Sequence, residues 1–129
     1  MKKILLIHIG RTIIALYFLI PGIGKFISWD KSVALMEAHN MNSIPFLLAI
    51  AAITQVAGSI SLLFNKHVVI CALGFAIMTI LINLNLHDFW NVYEGVNSEH
   101  EAQNFFKNLG IFAGLLLLAS AHIDEANKN

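Results

Sequence analysis

Neither residues 44–64 nor residues 68–86 contain a single Asp, Glu, Lys or Arg. A helix of roughly 20 apolar residues is what it takes to cross a hydrocarbon layer of about 30 Å, and both stretches meet that length. Only Asn65, Lys66 and His67 separate them, so the spacing predicts a tight antiparallel hairpin. Helices of a soluble bundle carry a charged face opposite an apolar stripe, whereas these two are apolar all the way round. The period-two alternation of a membrane β-barrel is absent.

Two more windows qualify with little charge. Residues 4–26 hold Arg11 and end near Lys25; residues 102–123 begin near Lys107 and run through Leu115-Leu116-Leu117-Leu118. The fold expected is all-α: a membrane-embedded four-helix bundle with antiparallel neighbours. It forms one transmembrane domain over residues 1–129, with helices at about 4–26, 44–64, 68–89 and 102–123. Composition agrees, since 12% charged residues is about half the share found in a soluble domain. Met1-Lys2-Lys3 followed by an apolar run resembles a signal peptide, but Arg11 breaks the run and no A-x-A site follows, which favours a retained signal anchor.

Basic residues near the ends of the crossings set the orientation. Lys2, Lys3, Arg11, Lys66 and Lys128 fall toward one side and Lys25, Lys31 and Lys107 toward the other. The bias puts both termini in the cytoplasm. The connections at about 27–43 and 89–101, with Trp29, Trp90 and Tyr93, then lie at the outer face.

Polar side chains inside a crossing are costly unless they face protein or water, so each is a site candidate. Arg11, Phe18, Gly22 and Lys25 share one face of the first helix, spaced by seven, four and three. Arg11 and Lys25 are about 21 Å apart at 1.5 Å per residue, near opposite ends. Pro21 removes a backbone donor between them. The third helix carries Asn83 and His87 on one face, with Asp88 just beyond. The fourth opens with Gln103, Asn104, Lys107 and Asn108. In this topology His87, Asp88, Lys107, Asn108 and Asn83 reach one level near the outer face, with Lys25 joining them, and a polar pocket is expected there. Gln55, amid Ala51, Gly58 and Ser59, reads as helix-packing glue. Arg11 stands both as a substrate-binding candidate and as a residue snorkelling to headgroups.

Other chemistries lack their residues. One cysteine, Cys71, allows no intramolecular disulfide and no CxxC metal or thiol centre. Eight basic and eight acidic residues cancel, so no field draws nucleic acid. No metal site, phosphate-cradling glycine loop or nucleophile with an adjacent base is visible.

These residues resemble the DoxX family of small four-helix membrane proteins. The likeness rests on Gly10-Arg11 with Tyr17-Phe18-Leu19-Ile20-Pro21-Gly22-Ile23-Gly24-Lys25-Phe26, on His87-Asp88-Phe89-Trp90, and on Gln103-Asn104-Phe105-Phe106-Lys107-Asn108-Leu109-Gly110. A Gly-Leu-Leu run follows at Gly114. Where the family often has two glycines before the leucines, this chain has Ala113-Gly114. The resemblance implies a multi-pass bacterial inner-membrane protein. Some members are associated with quinone-linked oxidation of sulfur compounds or with oxidoreductase complexes that handle thiol stress.

Two functional readings stay open. In the first, the chain is the membrane subunit of an oxidoreductase assembly, dependent on partner subunits and without an intrinsic cofactor, that holds a quinone or small anion at the outer polar level. His87, Asp88 and Lys107 are its catalytic candidates: His87 transfers protons, Asp88 modulates it and Lys107 supplies charge. Lys25, Asn83, Asn108 and Arg11 are substrate-binding candidates. In the second, it is a non-catalytic scaffold or a small-molecule binding or transport module. The lipid bilayer is a partner in both, and self-association is compatible with either.

Overall fold

The computed structural model describes residues 1–127; Lys128, assigned above to the cytoplasmic side, lies outside the described residues. Among the described residues there are five helices and no strand: α1 (Lys2–Ile27), α2 (Trp29–Ala38), α3 (Ile44–Leu63), α4 (Val68–Leu86) and α5 (Ser98–Ala126). Four of them, all but α2, are long and apolar enough to cross a membrane. Their outward faces carry large apolar side chains such as Ile20 (69% exposed), Ile70 (73%) and Leu117 (72%). A continuous belt of that kind would aggregate in water and is at home against lipid.

Three element boundaries depart from the sequence expectation. The first long connection is not irregular: α2 fills it, and its Trp29, Val33 and Met36 pack on Ile44, Leu48 and Leu86. Helix α4 stops at Leu86 rather than near residue 89, because His87 leaves helical geometry (φ −121°, ψ 31°). Helix α5 begins a turn earlier than residue 102. The Asn97 side-chain oxygen accepts the backbone N–H groups of Glu99 (3.0 Å) and His100 (3.2 Å), satisfying donors that a helix start leaves free.

The bundle consists of two intimate pairs, α1 with α3 and α4 with α5. Both pairs are antiparallel. Arg11 meets Asn65 while Gly22 meets Gln55, and Asn83 meets Asn108 while His87 meets Glu101. At Gly22 the backbones come so close that an added Cβ would lie 2.9 Å from Gln55 Cβ. The α3–α4 turn is as short as expected, with Asn65 (φ 56°) and His67 (φ 50°) in the left-handed region, but these two helices pack less extensively than a tight hairpin would. They touch where the Phe75 ring covers Gly58 and part toward the end that α2 covers. Phe18 and Phe75 stack at 4.2 Å in the core, which continues through Ala15, Leu62, Ala72 and Leu115.

Candidate functional site

The seam between the two helix pairs opens as a cleft of about 670 Å³, lined among others by Tyr17, Lys25, Gln55, Thr79, His87, Asn104, Lys107 and Asn108. That is the size of a small-molecule site. Its floor is a hydrogen-bonded relay across three helices. The Tyr17 hydroxyl donates to Asn108 Oδ1 (3.0 Å), Asn108 Nδ2 donates to Asn83 Oδ1 (3.0 Å), and Asn83 Nδ2 donates to the Phe105 carbonyl (3.0 Å). Asn83 is 1% exposed and Asn108 7%. Each amide is oriented by its neighbour, so the geometry is rigid where Tyr17 reaches the cleft.

The mouth of the cleft is positive. Lys25 has no hydrogen-bond or ion-pair partner among the described residues, and Lys107 donates only to the neutral Asn104 Oδ1 (3.2 Å). His87 Nδ1 pairs with Glu101 Oε2 at 2.5 Å, the acid being largely buried. Counting these four groups, the charge is +2 with the His87–Glu101 pair ionised and +1 with neutral His87 beside a carboxylate. Either way the mouth attracts an anion or an electron-rich carbonyl oxygen. Deeper in, Gln55 Oε1 is buried without a partner, and Pro21 has no N–H for the Tyr17 carbonyl. A buried acceptor left unpaired marks a place where a donor belongs.

Of the residues expected at this site, Lys25, His87, Lys107 and Asn108 line the cleft, and Asn83 stands behind Asn108. Asp88 does not join them. Since α4 ends at Leu86, the chain turns after His87, and Asp88 Oδ2 accepts from Asn91 Nδ2 (3.0 Å) and from the Tyr93 hydroxyl. Burial pushes the Asp88 carboxyl up, but those two bonds, its own backbone and the nearby His39 outweigh it and hold it below the ordinary carboxylate range. The same bond, with burial and the Asp88 charge, pushes the Tyr93 phenol up. Glu101, not Asp88, is therefore the group that acts on His87.

Arg11 lies at the other end of the bundle, buried at 6% exposure. One guanidinium nitrogen donates to Asn65 Oδ1 at 2.7 Å, and its Nε has no partner. It lies against the α3–α4 turn and does not reach the cleft. Tyr17 and Gln55 line the cleft and Glu101 pairs with His87 at its mouth; sequence reasoning gave Tyr17 and Glu101 no role at the site and read Gln55 as helix packing. Glu101 had a signal: Asn97-Ser98-Glu99 reads as a helix start with acidic residues in its first turn. Among the described residues no three His, Cys, Asp or Glu side chains gather around one point.

Neither a curated protein nor a solved structure matches the chain. The α5 side of the cleft, from Asn104 to Asn108, lies beyond the residues that the family model matches. That match, to the family described as DoxX, spans residues 6–88, well over half the sequence, and the chain belongs to the DoxX family.

Proposed function

We propose that this DoxX-family membrane protein is the membrane subunit of an oxidoreductase assembly and that its cleft receives a quinone headgroup. The observation that carries the reading is the pair of ammonium groups, Lys25 and Lys107, opening on one cleft with no carboxylate bonded to either. A quinone fits because its carbonyl oxygens need donors at the membrane surface while its tail stays among apolar side chains. When bound, it accepts two electrons and two protons to become a quinol. Lys25 and Lys107 orient the ring through one carbonyl oxygen and offset the negative charge that reduction brings. The Tyr17–Asn108–Asn83 relay fixes the wall behind it. His87, held by Glu101, stands at the mouth as the donor of one proton, and the second comes from water at the membrane surface. Gln55 Oε1 accepts a hydrogen bond from a hydroxyl of the quinol. Electrons come from a partner subunit that oxidises a sulfur compound or thiol. The cleft faces outward, with the termini in the cytoplasm of a bacterial cell, because Lys2, Lys3, Arg11 and Lys66 cluster at the opposite end.

The test is equilibrium binding of a side-chain-free quinone to the purified protein in lipid nanodiscs. Lys107→Gln and Lys25→Gln are expected to weaken binding about tenfold each, in the range of one charge-assisted hydrogen bond. Normal binding by the double variant, or none by the wild type, refutes the reading. A second reading, a non-catalytic scaffold or binding module, is favoured by one observation: Asn83 and Asn108 spend their amides on each other, on Tyr17 and on Phe105. It predicts that His87→Ala and Lys107→Ala lower the amount of folded protein without a separate loss of activity.

A further inference from the structure

A second cleft, of about 600 Å³, lies on the other side of the seam, where α3 and α4 part. Helix α2 roofs it with Leu35 and Met36; Met41, Ala51, Gly74 and Met78 add to its walls. It adjoins the polar cleft: Lys25, Ile82 and His87 line both. Three methionines suit a flexible hydrocarbon guest, since their unbranched thioethers adapt to irregular shapes. Gly74 is the telling residue. Glycine is the least favourable residue after proline in a helix interior, and close packing does not require it here: a Cβ added at Gly74 meets nothing within 4 Å. Its absent side chain keeps the cleft open.

We infer that the cleft beneath α2 is the seat of the ligand's isoprenoid chain, threaded past Lys25 and His87 from a quinone ring in the polar cleft. The inference rests on the functional reading above and adds to it a site for the chain, with α2 as its roof. Because lipid tails are as apolar as the cleft walls, the gain over free lipid comes from shape and confinement, so selectivity arises from fit.

The test compares two quinones with the same ring, one without a side chain and one with a long isoprenoid chain, binding to full-length protein in nanodiscs. Gly74→Phe and Ala51→Phe fill the cleft from opposite walls, and helicity and thermal stability identify a variant that misfolds. Each is expected to weaken the chain-bearing quinone about tenfold, the low end of what a misfitted methylene costs in an apolar pocket, and to leave the chain-free quinone unchanged. Partitioning of the chain into the bilayer cancels in the comparison with wild type. Unaltered binding of the chain-bearing quinone by both variants overturns the inference alone, as does equal weakening of both quinones. A phospholipid retained by the wild type and lost in Gly74→Phe, with quinone binding intact, overturns it in favour of a structural lipid. Failure of either quinone to bind the wild type overturns the functional reading, and the chain site with it.

Discussion

Replacing Asn108 with leucine, a side chain branched at the same carbon, removes both the acceptor for the Tyr17 hydroxyl and the donor to Asn83 Oδ1, each bond 3.0 Å long. Interhelical side-chain hydrogen bonds in membranes average about 0.6 kcal/mol, so the two bonds account for about 1.2 kcal/mol. Asn83 is 1% exposed and would keep an acceptor with no donor, a penalty that brings the total to about 2 kcal/mol. Asn83→Leu strands the Asn108 amide in the same way and also loses the bond to the Phe105 carbonyl, so about 2 kcal/mol is expected again. The double variant leaves neither amide, and replacing both partners by apolar groups is nearly neutral. Its destabilisation is therefore expected to fall short of the sum by at least about 1 kcal/mol. The assay is reversible unfolding in mixed detergent micelles, followed by far-ultraviolet circular dichroism. Additivity within about 0.3 kcal/mol would refute the Asn83–Asn108 bond as a coupling between α4 and α5.

Three further outcomes are expected. Gly22→Leu, whose Cβ would sit 2.9 Å from Gln55 Cβ, forces α1 from α3 and costs about 1–3 kcal/mol in the same assay. Arg11→Met removes a buried cation bonded only to the neutral Asn65, so stability is unchanged or higher, and quinone binding, at the far end of the bundle, is unaltered. The Asp88–Tyr93 turn gives a pH window. A depressed Asp88 contributes stability above the ordinary carboxylate value of 3.8 that is lost as pH falls through its lower folded value. A raised Tyr93 contributes stability below the ordinary phenol value of 10.0 that is lost as pH climbs through its higher folded value. Of the two phenols, Tyr17 and Tyr93, the ultraviolet titration component that is missing in Tyr93→Phe should move to lower pH in Asp88→Asn; an unshifted component in Asp88→Asn would contradict the contact.

The crossings were legible because hydropathy over 20 residues is a strong signal, and the level of Lys25, His87, Lys107 and Asn108 followed from where the crossings end. Helix α2 was missed because its apolar positions, Trp29, Val33 and Met36, are spaced for a short surface helix and vanish in a window sized for a membrane span. Hydropathy also says nothing about which helices neighbour each other. Adjacency in sequence pointed to α3 with α4, whereas the close approach at Gly22 pairs α3 with α1. Asp88 went astray for a local reason: one residue past the end of α4, a turn replaces the helical 100° step and carries its carboxylate to Tyr93. Tyr17 and Gln55 gain their roles from helices far away in sequence, and no spacing within α1 or α3 announces them.

In the proposed function, Lys25 and Lys107 hold one carbonyl oxygen of a quinone. Photolabelling the full-length protein in nanodiscs with an azidoquinone, then mapping the adducts by mass spectrometry, tests it most directly. Adducts confined to the cleft lining at residues 13–25, 55, 79–87 and 104–108, and competed away by unlabelled quinone, are the result predicted. Adducts spread along the lipid-facing side chains such as Ile70 and Leu117, or gathered at the Arg11–Asn65 end, would contradict it.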